Sequence, residues 1–485
     1  MRVKKPADSA KFSLNRLTKP AVYDKQQLHT VMKLYHCADI HLGQRRLDGR
    51  LPDQDFADAF GHVAQAAIRG KADLLLLAGD LFDRPQVEPP HLRQAQGVLE
   101  RLKAAGVPVI AIEGNHDKAF INSSEPTWLN YLADDDLLVL LTIRFNAEGP
   151  ILIPWDPTTK VGSWVDVNGI RFVGAGYLGA ATPHKVRQIV QKLEPASTHV
   201  LLLHAGPDYF VGEGGGFSTQ DLELIHDKVC YLALGHIHKP MIHGDWACNP
   251  GSPENCGLRE ARYDRDSAGN PCPRGYAVVE ISPASKAKPE SLEIHSTPRR
   301  PCVQLTLDCT PFGNQLQDGA AAMEKAACQL IQEQSLPPHA AVDLKLIGSV
   351  NLNRIAFDLQ GLERNIEQAT QILALGIDAS GINLGPAAGS GPEQEMASRE
   401  EIERSAIRTL VEVEHLRGLE GEQEAVANLF FDLKEAVRAN KSADELADRI
   451  RTSPLVERIR LASTAASAEP AAAAPGSAKR ARRSP

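Results

Sequence analysis

Five short segments carry most of the side chains in this chain that could do chemistry. They are D-I-H with Asp39 and His41, G-D with Asp80, G-N-H-D over Gly114–Asp117, a lone His204, and G-H-I-H over Gly235–His238. Aspartate, asparagine and histidine are hard-to-borderline oxygen and nitrogen donors. With no thiolate among them they suit manganese, iron or zinc, manganese first. We read Asp39, His41, Asp80, Asn115, His204, His236 and His238 as ligands of two divalent ions. Two ions about 3.5 to 4 Å apart can share a carboxylate and a water, lower the pKa of that water and clamp an in-line phosphoryl displacement. Asp80 is the natural bridge and Asn115 adds a neutral oxygen. His116 is placed to protonate or stabilise a leaving oxygen, and Asp83 is near enough in sequence to orient it. Residues two apart in an extended segment point to opposite sides, so Asp39/His41 and His236/His238 each need a turn to hold one ion, unless G-H-I-H gives one imidazole to each. Taken singly, a histidine is by default a hydrogen-bonded residue and Gly-Asp a common turn. The ordered set of five is what carries the reading.

Such a set needs a scaffold that gathers five strand ends. From Met32 to about Gly235 short apolar runs alternate with helical periodicity, the pattern of an α/β layered fold. The run 33–38 ends at Asp39. Phe56, Phe60, Val63 and Ala67 share a helix face that stops at Gly70. D-L-L-L-L-A over 73–78 is a strand buried on both faces, Pro89-Pro90 opens a helix carrying Leu92, Ala95, Leu99 and Leu102, and Gly106 closes it. Strands over 107–112, 199–203 and 229–234 lead to Asn115, His204 and His236. Asn168-Gly169 marks a two-residue hairpin, and Thr182-Pro183 reads as an N-cap followed by proline at N1. Ligands just past the carboxyl ends of strands are where open α/β sheets place their sites.

Strands over 276–281 and 292–295 complete a first domain, 32–297, before Pro298 and Pro301. Residues 302–383 read as strand, helix (319–334), strand, strand and helix (362–373), a small α+β unit. A Gly/Pro/Ala/Ser stretch, 384–397, reads as a linker. Residues 398–461 carry helix starts at Ser398/Glu401, Ser442/Glu445 and Ser453-Pro454, with apolar faces Ile402, Ala406, Leu410, Val413 and Leu429, Phe430, Leu433, Val437. Residues 462–485, ending K-R-A-R-R, read as a disordered basic tail. Residues 1–31 read as a disordered extension or an over-long start, because Met32 directly precedes the first strand.

The 485 residues are enough for two or three domains, and with 43% hydrophobic and 24% charged residues no apolar stretch is long enough to span a bilayer. The formal net charge of -8 gives no global footprint for nucleic acid. Such binding would be local, because two divalent ions held by two carboxylates leave a site about +2 in charge. Arg45 and Arg46, with Arg50 after them, are the candidates for phosphate contacts. The eight cysteines form no C-x-x-C pair and read as buried free thiols in a reducing cytoplasm; Cys248, Cys256 and Cys272 lack the spacing of a zinc knuckle.

The ordered motifs are similar to those of the metallophosphoesterase superfamily. More narrowly, D-I-H-L-G, L-L-A-G-D-L-F-D, I-E-G-N-H-D, L-G-H-I-H-K-P and N-P-G-S-P-E resemble the SbcD-type nuclease subunit of bacterial SbcCD DNA repair complexes. This resemblance implies a metallophosphoesterase β-sandwich flanked by helices, a small α+β capping domain at 302–383, and C-terminal helices that grip the coiled-coil root of an SMC-like ATPase of SbcC type. It puts Asp39, His41, Asp80 and His238 on one metal, Asp80, Asn115, His204 and His236 on the other, and makes His116 the catalytic histidine. Asp83 stands where SbcD-like chains carry aspartate and archaeal and eukaryotic relatives often carry histidine. Also implied are manganese-dependent cleavage of DNA ends or hairpins, a homodimer within a heterotetramer, and a cytoplasmic, nucleoid-associated enzyme. The chain departs from the pattern after N-P-G-S-P-E, where it reads N-C-G-L-R-E and inserts D-R-D-S-A-G-N-P-C-P-R.

Two rival enzyme classes share parts of the pattern. G-D-L-F-D-R-P mimics the G-D-x-x-D-R-G of protein phosphatases, but G-N-H-D and G-H-I-H depart from that group. A small cyclic-nucleotide phosphodiesterase shares G-N-H-D and G-H-x-H but would leave roughly 200 C-terminal residues unexplained, more than a further domain. A scaffold that holds DNA or the ATPase without cutting is the non-enzymatic alternative.

Overall fold

A computed structural model describes residues 31–118, 125–194, 198–211, 216–266, 268–312, 319–337, 339–350, 358–384, 404, 423–438 and 443–456. Strands with apolar side chains on both faces must be covered twice, and here they form two stacked sheets. The first holds β1 (Met32–Cys37), β2 (Leu74–Ala78), β3 (Val109–Ile112) and β4 (Val139–Leu140), all parallel neighbours. The second, in the order β9-β10-β8-β7-β6-β5, holds β5 (Trp164–Val167), β6 (Ile170–Gly174), β7 (Thr198–His204), β8 (Tyr231–Gly235), β9 (Met241–His243) and β10 (Ala247–Asn249). Two antiparallel strands, β11 (Gly275–Ile281) and β12 (Ser291–Ser296), then return to complete the first sheet beside β1.

The two-residue period of a strand divides the core cleanly. Leu34, Leu74, Leu76, Ile110 and Ile112 face Phe172, Val200, Leu202, Tyr231 and Ala233 between the sheets. Tyr35, Cys37, Leu75, Leu77, Val109 and Ala111 point the other way, under α1 (Gln54–Arg69), α2 (Pro89–Ala105) and α3 (Trp128–Asp134). On the far side Leu201, Leu203, Leu232 and Leu234 pack with α4 (Thr182–Gln191) and α5 (Thr219–His226). The result is a helix–sheet–sheet–helix sandwich, the α/β layered fold expected.

Local signals place most turns. Asn168 and Gly169 take φ of 49° and 80°, the left-handed pair a two-residue hairpin demands. Gly106 ends α2 at φ 81°. Thr182 is not the N-cap expected: it is the first residue of α4, and its hydroxyl donates to the Gly179 carbonyl at 2.6 Å.

A third sheet is made of three parallel strands, β13 (Cys302–Asp308), β14 (Ala341–Val350) and β15 (Ala374–Leu384), with α6 (Gly319–Gln332) and α7 (Leu359–Thr370) as crossovers. Among the described residues the order is strand, helix, strand, helix, strand, with one strand rather than two before the last helix; residues 351–357 lie outside the described residues. β15 reads poorly as a strand because of Gly376 and Gly381. A Cβ at Gly376 would lie 2.9 Å from Leu258 Cδ1, so the glycine permits close packing. A small core of Leu51, Leu258, Ala341 and Ala374 joins this sheet to the sandwich, and Arg50 reinforces it through Glu363 (3.1 Å) and Glu367 (2.5 Å).

The chain divides into two compact units at Ala388/Gly389. In the second, α8 (Gln423–Arg438) buries Ala427 and Ala436 and leaves Phe430 exposed, while α9 (Ala443–Arg451) pairs Arg449 with Asp432. The Leu455 amide donates to Ser453 Oγ at 3.2 Å, in keeping with a helix start there. The N-terminal extension up to residue 30, the linker after Leu384, the face Ile402 to Val413, the helix starts at Ser398 and Ser442, and the basic tail lie outside the described residues. Among the described residues no helix is long and apolar enough to cross a membrane.

Candidate metal centre

Five strand ends converge at one edge of the sandwich. Asp39 follows β1, Asp80 follows β2, Asn115 and His116 follow β3, His204 closes β7, and His236 and His238 follow β8. To turn out of a strand so abruptly, Asp39, His41, Asp80 and His236 adopt left-handed backbone, with φ of 55°, 51°, 52° and 86°. Non-glycine residues rarely do this, and such strain survives where surrounding structure over-determines it. The cross-links are visible: the Ile40 amide donates to the Asp80 carbonyl (2.8 Å) and the Leu42 amide to the Leu81 carbonyl (3.0 Å). Asp117, not counted among the ligands, accepts from the amides of Asp80 (2.9 Å), Gly114 (2.8 Å) and Phe82 (3.1 Å), tying two ligand loops together. A Cβ at Gly114 would sit 2.0 Å from Asp80 Oδ1, which is why the G-N-H-D segment begins as it does.

Asp80 stands between two groups of donors. Its Oδ2 lies 3.8 Å from His41 Nε2 and 3.1 Å from His204 Nε2. On the first side His41 Nε2 faces His238 Nε2 at 3.1 Å. On the second, Asn115 Oδ1 is 3.1 Å from His204 Nε2 and 2.9 Å from His236 Nδ1. Asp39 accepts the His236 amide on both oxygens (2.9 and 3.0 Å) and lies 4.0 Å from His204. All seven expected ligands are therefore in one cluster.

The electrostatics show a site that demands positive charge. Burial opposes ionisation of Asp80, yet His204, His41 and His116 hold its carboxyl below the usual range. Burial lowers His204 less than Asp80 raises it, so it is pushed up to about 9. For His238, burial is outweighed by Cys256 and Glu260, to about 12, whereas burial takes His236 down to about 4. His41 Nδ1 is buried without a hydrogen-bond partner. Oxygen and nitrogen donors and facing imidazoles fit a pair of divalent cations.

Other residues fall differently from expectation. His116 donates Nδ1–H to the main-chain carbonyl of Asp83 (2.6 Å), so Asp83 orients it through its backbone; the Asp83 carboxylate instead faces His41 Nδ1 at 3.6 Å. Arg46 is corrected as a phosphate contact: its guanidinium is buried, held by Asp55 and by Glu254 at 3.2 Å. Arg45 is exposed and paired with Glu88 at 3.0 Å. Three neighbours were missed from sequence. Glu260 accepts from His238 Nδ1 at 2.6 Å, Tyr177 lays its ring 5.3 Å from that of His236, and Cys256 brings a thiol to His41 and His238. Burial pushes that thiol up to about 11, against the charge of His238. The signal for Glu260 and Cys256 was the departing segment N-C-G-L-R-E itself; Tyr177 had none.

The calcineurin-like phosphoesterase family profile matches residues 32–240, from the first residue of β1 to two residues past His238. The chain is also similar to proteins named DNA double-strand break repair protein Mre11. That of Archaeoglobus fulgidus is 27% identical over 70% of this chain and 76% of its own length. That of Aeropyrum pernix is 30% identical over 44% of this chain and 50% of its own length, and that of Methanosarcina acetivorans 38% identical over 52% and 37%. The chain spans half or less of the latter two. Residues 32–240, with their sandwich and ring of donors at the strand ends, thus form a calcineurin-like phosphoesterase domain, the mark of a metal-dependent phosphoester hydrolase.

Proposed function

We propose that this chain is a metal-dependent DNA nuclease that hydrolyses phosphodiester bonds at DNA ends or hairpins during repair, acting with an SMC-like ATPase. The observation that carries this reading is the gathering of six donors around Asp80 with His116 alongside. The names of the relatives support DNA as the substrate class. Bound to the two donor groups, divalent ions, manganese first, would lower the pKa of an attacking water and neutralise charge developing on the phosphoryl group.

The chain's own residues do the rest. Asp80 holds the two donor groups in fixed relation, and its Oδ1 accepts the His116 amide at 2.8 Å, fixing the G-N-H-D loop. With Nδ1–H committed to the Asp83 carbonyl, His116 keeps Nε2 to carry a proton to the leaving oxygen. Glu260 holds Nδ1 of His238 and so turns Nε2 toward the donor group. Tyr177 covers one side of His236.

In this reading residues 302–383 cap the site and 398–461 grip the ATPase. The assembly is a homodimer within a heterotetramer, working in the cytoplasm at the nucleoid. The test is degradation of linear duplex DNA in manganese by wild type and His116→Ala. Loss of activity in the variant supports the reading; equal activity in both points to a contaminating nuclease and overturns it. DNA binding with no cutting by wild type favours the scaffold.

A further inference from the structure

We propose that Cys256 supplies a thiolate to the ion held by His41 and His238, which makes that half of the centre a nitrogen, oxygen and sulfur site suited to zinc, iron or cobalt. The inference rests on the two-ion reading of the cluster. It corrects the donor chemistry expected from the motifs, which contain no sulfur.

The placement of Cys256 is built by several restraints. Asn249, at the end of β10, donates its side-chain amide to the carbonyls of Ile237 (2.5 Å) and Lys239 (2.9 Å), and the Ser252 amide donates to the His238 carbonyl (3.1 Å). The segment that carries Cys256 is thus laced to the G-H-I-H loop. Glu260 then serves both donors: Oε1 accepts from His238 Nδ1 (2.6 Å) and Oε2 from the Cys256 amide (2.9 Å). The donor atoms of His41, His238 and Cys256 all lie within 4.8 Å of one another. His41 and His238 turn ring nitrogens to each other at 3.1 Å.

No other cysteine joins a donor group among the described residues. Cys248 lies in the core between the sheets and Cys309 in that of the third sheet. Coordination forms a bond from Cys256 Sγ to the cation and breaks the S–H bond, the proton passing to solvent. Soft thiolate selects differently from the oxygen and imidazole donors on the other side of Asp80, so the two halves differ in the ion they prefer.

The experiment uses the full chain stripped with a chelator and titrated with cobalt(II). Ions bound are counted by calorimetry and sulfur-to-cobalt charge transfer is read in the near ultraviolet. The expected result is a charge-transfer band that grows with one of the two bound equivalents and is absent from Cys256→Ser and Cys256→Ala. Zinc affinity should fall about tenfold or more in Cys256→Ser, while manganese affinity changes by less than about threefold, since loss of even an outer partner costs about 10- to 100-fold. In wild type, zinc should slow alkylation of Cys256 by iodoacetamide, mapped by mass spectrometry, and leave Cys272 and Cys328 unchanged. Cobalt bound without the band, a band that survives in Cys256→Ser, or alkylation indifferent to zinc overturns the thiolate alone. Failure of cobalt, zinc and manganese to bind at all overturns both this inference and the two-ion reading.

Discussion

His116 and Glu260 both border the centre, and their removal should separate catalysis from loading. His116→Ala is expected to lower kcat on DNA by about 10²- to 10⁴-fold, the usual contribution of a positioned acid or base, with manganese affinity by calorimetry unchanged. Glu260→Ala frees the His238 ring and should weaken the metal by about 10- to 100-fold. Arg46 makes the opposite case. Arg46→Met leaves the buried Glu254 without its cationic partner, while Asp55 keeps Arg300 at 2.7 Å, and should cost about 3–5 kcal/mol in urea unfolding, with DNA affinity of the folded protein unaltered. The gathering of the seven candidate ligands was legible because each stands at the end of an apolar run. Arg46 was misread because two adjacent arginines look alike on paper, and only the fold sends one inward to Glu254 and leaves the other outside with Glu88.

At the level of single elements, β1 carries a polar group that periodicity marks as core but does not explain. His36 is wholly buried; Nε2–H donates to the Leu234 carbonyl (3.1 Å) and Nδ1 accepts from the Tyr231 hydroxyl (2.8 Å). Burial lowers it from 6.5 to about 3, the backbone bond only partly opposing. The unfolded chain therefore binds a proton that the folded one refuses. Stability from this group is fully present above about pH 6.5 and declines as pH falls from there toward about 3, by about 1.4 kcal/mol per pH unit at full difference of one proton. In His36→Gln the unfolding free energy measured between about pH 6 and pH 4 should fall less steeply than in wild type, by up to that slope. An equal slope would place the acid sensitivity elsewhere. Strands such as β2, L-L-L-L-A, were plain from composition, whereas β15 was hidden because its glycines answer to a neighbour, Leu258, that is remote in sequence.

Across the molecule, the short helix Leu258–Asp264 links the third sheet to the centre, since Leu258 joins the shared core and Glu260 holds His238. Leu258→Asp should lower the melting temperature and weaken manganese binding together. Leu344→Ala, inside the third sheet's own core, should cost about 2–5 kcal/mol and leave manganese affinity unchanged. Matching effects on metal in the two variants would deny the helix its linking role. Chelation of a loaded centre should also lower the melting temperature, because an ion at 100 times its Kd adds about 2.7 kcal/mol to the folded state. None of this long-range wiring shows in local pattern, since the partners meet only after the sheets have stacked.

One feature of the backbone bears on how such a receptor treats its guests. Asp39, His41, Asp80 and His236 bend with left-handed torsions fixed by cross-links to neighbouring strands, so the cradle takes its shape as the sandwich closes rather than when cations arrive. A rigid cradle of this sort discriminates by radius: a cation too large or too small must shift within its seat, and its spacing from its companion changes instead of the loops around it.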